Sequence, residues 1–422
     1  MLFLNPAESR RTKAPFSENI FLVWTFVLIG RPQDYFRFLE PLRLVLVLTV
    51  LSVLAILMSG RMNIGHLFSR RESRLYMVFF LIMIIGIPFA YHRRMAFEFV
   101  FKSFFPNCIF YYCFLHHIVD LESWRRMQKL LLACALFYGL FSILSGNFQQ
   151  GRFITYGQMY DSNDIAFVLI ALIPVSMFFL WKYRSWISFT VAVNALFCGF
   201  AVILLSGSRG GLISLAVFIV SLLYLFRKNI GFRHIMVLSV IVLIVLFIFG
   251  GKINMERYMS LENLQKDYNI TSEGGRVQIW QRGWNLFLSN PITGVGVTCF
   301  PMAIGYLREE MDVIPEWQAP HNSYLQVMVE TGIFGILVFL LLFFFCYRNF
   351  KMIANRRSQD GQGKSDIMDS ARFYEAGFIS LAFAVFFLSQ AYSPLVTLYL
   401  ALSGALVRIG NGNHLIENSR TS

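Results

Sequence analysis

Long apolar stretches alternate with short polar ones along almost the whole chain. Most run near twenty residues, the length at which a helix crosses the ~30 Å hydrocarbon core of a membrane. The pattern predicts about twelve transmembrane helices, at 16–30, 41–59, 75–91, 97–119, 127–145, 164–181, 186–206, 210–226, 234–250, 323–347, 373–390 and 394–409. Pro106 predicts a kink in the fourth.

One polar interruption is much longer than the others and covers about seventy residues between Gly250 and Glu330. It divides the chain into membrane helices at 1–250, a loop with the candidate catalytic residues at 251–322, membrane helices at 323–410 and a tail at 411–422. The polar segment 356–369 is predicted to be a flexible connection, and the tail is predicted to fray.

Composition supports a membrane protein. Hydrophobic residues make up 56% of the chain and charged residues 14%, whereas an average soluble domain carries about a quarter charged residues. We therefore predict an all-α polytopic fold. The net charge of +13 fits basic loops beside anionic lipid headgroups better than nucleic-acid binding.

Lys and Arg concentrate in alternate connections, including 10–13, 70–74, 125–129 and 348–372. Because basic loops stay in the cytoplasm, both termini are predicted inside and the long loop outside. Arg93 and Arg94 run against this assignment. The six cysteines form no metal-ligand motif, so they are predicted to be core residues without disulfides.

The sequence SGSRGG at 206–211 places Arg209 between two predicted helices. Small residues such as Ser208 and Gly210 permit a tight turn with exposed backbone N–H groups, and with a guanidinium these form an anion site. Arg binds phosphate through a planar fork that stays charged. The alternative is an interfacial Arg beside a glycine turn.

A helix is predicted inside the long loop, in GGRVQIWQRGWNLFLSNP. Arg276 follows two glycines at its start, and Asn290–Pro291 ends it. Its apolar side includes Trp280, a candidate substrate contact, and such a helix can lie among lipid headgroups. The alternative is an ordinary packed loop helix with an exposed Arg.

His321 stands just before the tenth predicted span, in PHNSYLQVMVETG. A neutral imidazole there can accept a proton from an attacking hydroxyl, and Asn322 and Tyr324 can orient a polar substrate. Glu330 falls inside the apolar zone, where ionisable groups are usually functional. Alternatively, His321 caps the helix and Glu330 is a packing residue.

Asn163, in YDSNDIAF, gives a weaker signal beside Asp161 and Asp164. It is a candidate substrate contact, although a helix cap explains the pattern as well. GVGVT at 294–298 lacks the third glycine of a dinucleotide fingerprint. No motif for binding a nucleotide or a catalytic metal is present.

In their order and spacing, SGSRGG at 206–211, GGR at 274–276 and HNSYLQVMVETGIFG at 321–335 resemble the O-antigen ligase and polymerase superfamily of bacterial membrane glycosyltransferases. The similarity covers roughly 163–345. The N-terminal GRPQDYFRFLEPLRL looks like the ligase-like branch found with exosortase-type polysaccharide systems.

The resemblance implies a GT-C-like fold in the inner membrane and a donor glycan linked to undecaprenyl pyrophosphate. It implies an acceptor hydroxyl on a glycan, lipid or protein, and no metal or cofactor. By position, Arg209 and Arg276 would bind the pyrophosphate and His321 would activate or position the acceptor. Inversion is expected from a single displacement.

Three classes of function stay open at this point, and the first contains two alternatives. A ligase and a repeat-unit polymerase share the donor chemistry and differ in the acceptor. A polysaccharide transporter or flippase is the alternative from another class, although no internal repeat or interrupted helix is visible in the sequence. A purely structural membrane partner of a polysaccharide complex is the third.

Overall fold

A computed structural model describes residues 16–418, except 60–67, 69, 150–151, 156, 158, 160, 183–184, 228–231, 260–271, 273, 311–313, 315 and 357–361. Its α-helices are α1 Phe16–Thr25, α2 Pro32–Tyr35, α3 Leu44–Met58, α4 Arg71–Gly86, α5 Arg93–Phe99, α6 Phe105–His117, α7 Leu121–Ser145, α8 Ser162–Trp181, α9 Trp186–Leu205, α10 Arg209–Phe226, α11 Phe232–Phe249, α12 Met255–Met259, α13 Arg276–Ser289, α14 Phe300–Glu310, α15 Ser323–Ala354, α16 Gln362–Ala384 and α17 Pro394–Asn418.

Shorter elements join these helices. The 3₁₀ and π turns are Phe26–Gly30, Arg37–Leu42, Ile87–Phe89, Val100–Phe104, Gly250–Lys252 and Val385–Phe387. Two strands, β1 Asn147–Gln149 and β2 Arg152–Ile154, pair as an antiparallel hairpin that the sequence analysis did not predict.

The predicted all-α membrane fold is confirmed at a coarse level. Over the described residues, eight helices are long and apolar enough to cross a membrane, and three shorter apolar helices accompany them. The described parts of all twelve predicted stretches are largely helical. The number of crossings and the GT-C-like fold stay predictions.

The fourth predicted span is not one regular helix. A π turn, Val100–Phe104, separates α5 from α6, and Phe105 donates its N–H to Val100 O. Pro106 in the first turn of α6 has no N–H to give. The predicted kink therefore takes the form of one widened turn beside the proline.

Two segments predicted to be irregular are helical. α16 begins at Gln362, and Asp366 and Asp369 anchor its first turns through ion pairs with Arg125 at 3.0 Å and Lys182 at 2.6 Å. α17 continues to Asn418, well into the predicted tail. Residues 1–15, 357–361 and 419–422 lie outside the described residues.

The core of the bundle sits around α8. In an apolar stretch of 18 residues within this helix, 89% of the residues are buried inside the protein. The corresponding value for the span His234–Lys252 is only 11%, so that span lies at the rim of the bundle. All six cysteines are buried, as predicted for core residues, and their thiols are free in this structure.

Successive membrane helices bring two sets of connections together. One end of the bundle, here the loop end, carries the β-hairpin, the turn at 206–208, the long loop and residues 388–393. The opposite end is joined by ion pairs such as Arg126 with Glu18 and Arg125 with Asp366.

The long loop has a small apolar core of its own. Ile279, Leu286 and Phe287 of α13 are buried with Phe300 and Ile304 of α14. The cluster extends to Leu325 and Val329 of α15 and to Ala90 beside α5. The loop is thus packed on the membrane helices and does not stand apart from them.

α15 is interrupted at Gly332, where φ is 67° and ψ is −168°. The break frees backbone groups that a regular helix would pair. Loop residues pair them instead: Ile333 N–H donates to Pro291 O at 2.8 Å, and Val295 N–H donates to Val329 O at 2.9 Å. The loop therefore closes the gap in the helix.

Glycine is required on both sides of this contact. A Cβ on Gly332 would collide with Ile292 O, and one on Gly294 would collide with the Glu330 backbone. Gly294 also has a positive φ of 68°, a conformation that L side chains rarely adopt. GVGVT is thus a structural element, which explains a motif that sequence analysis left without a role.

Candidate functional site

The SGSRGG turn forms a capped junction between α9 and α10. Gly207 adopts a φ of 62°, which lets the chain reverse before Ser208 caps α10 by accepting the Gly211 N–H at 3.0 Å. The Ser208 hydroxyl donates to Asn163 Oδ1 at 2.7 Å. Arg209, the first residue of α10, is thereby held at the loop end.

Ser208, Gly210 and Asn163 were predicted as substrate contacts, and the structure packs them against each other. Ser208 is 1% exposed, and the cavity between these residues and Phe387 is about 10 Å³. That volume holds at most one water molecule. These three residues therefore shape and position the Arg209 turn, and a direct substrate role for them stays a prediction.

Arg257 of α12 lies against the same turn. Its Nε donates to Gly207 O at 2.8 Å. Burial lowers the pKa of Arg257, and Arg152 and Arg209 lower it further, whereas Asp161 raises it. A guanidinium whose charge is disfavoured by its neighbours is well placed to bind an anion.

Arg152 and Asp161 connect this turn to the rest of the site. Arg152, on β2, forms an ion pair with Asp161 at 3.4 Å. Asp161 caps α8 by accepting the Asn163 N–H at 2.8 Å. The hairpin and the start of α8 thus present one cation and one carboxylate beside Arg257.

His321 sits in a turn that is fixed from two sides. Its φ is 46°, an uncommon left-handed conformation for a residue other than glycine. The His321 N–H donates to Ser389 Oγ at 2.9 Å, and Trp280 Nε1 donates to Pro320 O at 2.9 Å. Such strained backbone persists where the surroundings hold it, often at functional sites.

The charge state of His321 depends on the same group of side chains. Burial lowers the pKa of His321 and Arg276 lowers it further; Asp161 raises it and Arg152 lowers it. The imidazole is therefore neutral at neutral pH, which is the form that accepts a proton.

The structure thus joins the three predicted catalytic residues in one electrostatic neighbourhood. Arg276, at the start of α13, lowers the pKa of His321, and Arg209 lowers the pKa of Arg257. Arg152 and Asp161 act on both of those groups and so connect the two pairs. We call Arg152, Asp161, Arg209, Arg257, Arg276 and His321 the arginine cluster. With four guanidinium groups against one carboxylate, it favours an anionic ligand.

Asn322, Tyr324 and Trp280, predicted as substrate contacts, have structural bonds. Asn322 Oδ1 accepts the N–H groups of Tyr324 and Leu325 at 3.0 and 3.1 Å and so caps α15. Tyr324 Oη donates to Ala382 O at 2.8 Å. Trp280 also packs on the Phe386 ring at 5.4 Å. Each bond helps to hold the turn that presents His321.

Glu330 is 1% exposed and accepts a hydrogen bond from Tyr392 Oη at 2.8 Å. It lies seven residues beyond the start of α15, about 10 Å along the helix axis. The Glu330 backbone lies against Gly294 of the loop, just before the break at Gly332. The structure therefore ties Glu330 to the break, and a substrate role for it stays a prediction.

Sequence reasoning missed two members of the cluster. These are Arg152 and Arg257. Neither stands in a motif, and each reaches the site because a hairpin and a short helix fold back onto the bundle. For Asp161 the sequence did give a weak indication, because it lies in the segment YDSNDIAF, which was considered as a candidate substrate contact or helix cap.

The N-terminal sequence GRPQDY also lies at the loop end. Arg31 Nε and Asp34 Oδ2 form an ion pair at 2.6 Å with both side chains at most 9% exposed. Asp34 packs against Gly157 beyond the hairpin. Gln390 and Asp164 add a hydrogen bond of 2.8 Å nearby. These contacts support the hairpin that carries Arg152.

Among the residues that the structure describes, no three His, Cys, Asp or Glu side chains are grouped as metal ligands would be.

A search of curated proteins finds no match for this chain. The sequence profile of the O-antigen ligase family matches residues 194–340. That segment includes Arg209, Arg257, Arg276 and His321. Over residues 194–340, about a third of its length, this multi-pass membrane protein is therefore similar to the O-antigen ligase family.

Proposed function

We propose that the protein transfers a glycan from polyprenyl pyrophosphate, undecaprenyl pyrophosphate in bacteria, to an acceptor hydroxyl at the loop end. The observation that carries this is the arginine cluster, where Arg276 favours the neutral form of His321 and Arg257 binds Gly207 O at 2.8 Å, close to Arg209 in the same turn. Cations that stabilise a leaving anion stand beside a base, as group transfer from a diphosphate requires.

The proposed reaction is a single displacement. The acceptor oxygen attacks the anomeric carbon while the bond from that carbon to the pyrophosphate oxygen breaks, and the electron pair leaves with the polyprenyl pyrophosphate. His321 takes the acceptor proton. Attack from the side opposite the leaving group inverts the anomeric configuration.

Arg209 and Arg276 are proposed to bind the two phosphates. Guanidinium groups carry the charge that a divalent cation supplies in other phosphate chemistry, so we expect activity to persist in EDTA. The membrane supplies the lipid-linked donor, and we place the reaction at the periplasmic face of the inner membrane with both termini in the cytoplasm.

The direct test uses purified protein and a lipid-linked glycan in detergent, where no compartments exist. Arg276→Gln and Arg209→Gln should each reduce transfer at least a hundredfold, because each removes one cation from the leaving group. Arg94→Gln is the matched control, since Arg94 is 84% exposed at the loop end, where its side chain pairs with Glu98.

Normal transfer by both cluster variants would overturn the site assignment. No transfer by the unaltered protein, combined with movement of the lipid-linked glycan across vesicle membranes, would favour a transporter. An interrupted helix such as α15 also occurs in transporters. Here the chain's own loop pairs the freed backbone groups, which favours a fixed anchor.

A repeat-unit polymerase is the second candidate within the same chemistry. A strain that lacks the gene distinguishes the two. Accumulation of complete lipid-linked polymer with nothing attached to the final acceptor indicates a ligase. Acceptors that carry one repeat but no longer chains indicate a polymerase.

A further inference from the structure

A groove runs along α16, between α10 and α15, towards the opposite end of the bundle. Its middle part has a volume of about 450 Å³ and is lined by apolar side chains, among them Phe378, Phe383 and Phe386. Its end part is a cavity of about 600 Å³. Tyr347 and Ile379 line both parts, so the two parts adjoin each other.

The end part is basic. Arg227, Lys351 and Arg372 all line it. The Arg227 guanidinium lies 4.9 Å from the Tyr224 ring centre, and the Lys351 ammonium lies 5.4 Å from that of Tyr347. These aromatic contacts hold both cations beside the cavity.

The charge of Arg372 is only partly balanced by its ion pair with Asp369. Its guanidinium is 3.4 Å from Asp369, but that carboxylate also pairs with Lys182 at 2.6 Å. Two cations therefore share one carboxylate. The cavity thus has an excess of positive charge even after this ion pair is counted, which favours a ligand with net negative charge.

The cavity lining also contains a hydrogen-bond acceptor, the carboxyl group of Glu375. Glu375 lines the same cavity and is 2% exposed, and its Oε2 is buried without a hydrogen-bond partner among the described groups. A buried carboxyl oxygen in that position costs free energy unless a donor reaches it. A ligand that combines a phosphate with a hydroxyl would satisfy both the cations and this oxygen.

We propose that the groove binds one anionic phospholipid with a hydroxyl-bearing headgroup. Its phosphate lies among Arg227, Lys351 and Arg372, its hydroxyl donates to Glu375, and an acyl chain follows the apolar wall towards Phe386. The headgroup end of this site lies at the end of the bundle away from the arginine cluster. It goes beyond the proposed function, and only the name of its leaflet, cytoplasmic, depends on the proposed orientation.

Binding of dioleoylphosphatidylglycerol to the purified full chain tests this, with bound lipid counted by native mass spectrometry. The double variant Arg227→Gln with Lys351→Gln should weaken binding at least tenfold. The matched control is Arg74→Gln with Arg348→Gln, which removes two exposed cations outside the groove. Its binding should stay within twofold of the unaltered protein.

Equal weakening in the two double variants would overturn the proposal, because the attraction would then be non-specific. Dihexanoylphosphatidylglycerol and glycerol phosphate separate the lipid from a soluble phosphate compound. We expect both to bind at least tenfold more weakly than the long-chain lipid, since neither fills the apolar part. Equal binding by either, or by phosphatidylethanolamine, would contradict the assignment. None of these readouts depends on glycan transfer.

Discussion

At the scale of single residues, the site depends on a histidine whose backbone and charge are both set by its neighbours. Ser389 and Trp280 hold the turn around His321, while burial and Arg276 keep its imidazole neutral. The residue type was readable from the sequence. The left-handed turn and the Asp161 contribution were not, because both arise from contacts between distant segments.

His321→Asn should reduce transfer about a hundredfold to ten-thousandfold, the usual contribution of a general base. Asn tolerates left-handed backbone, so the turn is expected to keep its shape while the proton acceptor is lost. Transfer rate and donor binding are measured on the purified variant. Unchanged transfer with unchanged folding would exclude His321 as the base.

The pH dependence of transfer should follow the charge of His321. Its pKa lies below the ordinary value, so activity rises as pH increases through that pKa and is level near neutrality. Asp161 raises this pKa, and Asp161→Asn, which keeps the α8 cap, should therefore move the acidic limb to lower pH.

The measurement for Asp161→Asn is kcat/KM against pH, with Glu98→Gln as the control. Glu98 is a carboxylate at the loop end that pairs with exposed Arg94 and Lys102. The control profile should match that of the unaltered protein. If the acidic limb of the Asp161→Asn profile moved to higher pH, the proposed effect of Asp161 on the pKa of His321 would be contradicted.

At the scale of elements, the interruption of α15 was the feature least accessible from sequence. Hydropathy continues through Gly332 and Gly335 without a break. The start of α13 and its end at Asn290, in contrast, followed from local signals. Capping is local, whereas the break requires a loop from forty residues earlier to supply hydrogen-bond partners.

Gly332→Ala should destabilise the protein by about 1–3 kcal/mol or more, since this backbone conformation is essentially restricted to glycine and a Cβ would meet Ile292 O. Gly199→Ala is the control, because Gly199 lies in α9 with no atom within 4 Å of an added Cβ. That change should alter stability by no more than about 1 kcal/mol.

Both variants are compared by thermal unfolding of purified protein in the same detergent. A clearly lower Tm for Gly332→Ala alone is the expected outcome. Equal Tm values would show that α15 can close its break and release the loop without cost.

At the scale of the whole molecule, hydropathy was enough to place the described membrane helices, because burial in lipid makes nearly every spanning residue apolar. It did not identify which helix is central. α8 and the span His234–Lys252 are both strongly apolar, yet the first is 89% buried and the second 11%. Lipid and protein interior select similar side chains, so this distinction comes only from the assembled bundle.

The proposed orientation predicts opposite labelling of the two ends. Arg94→Cys at the loop end should react with a membrane-impermeant maleimide in intact cells whose outer membrane has been permeabilised, and Arg348→Cys should react only after lysis. The native background is expected to be low because all six cysteines are buried. The reverse pattern would invert the topology and with it the proposed periplasmic site.

The closed break in α15 also limits how segments can be exchanged between related proteins. A chimera that took a foreign loop and joined it at residue 322 would separate Pro291 and Val295 from their partners Ile333 and Val329. A junction beyond residue 333 would transplant both halves together, and the family match itself extends to residue 340. Only the longer graft should yield chimeras that are extracted from membranes as folded protein, so acceptor specificity is expected to be inherited together with the first turns of a membrane helix.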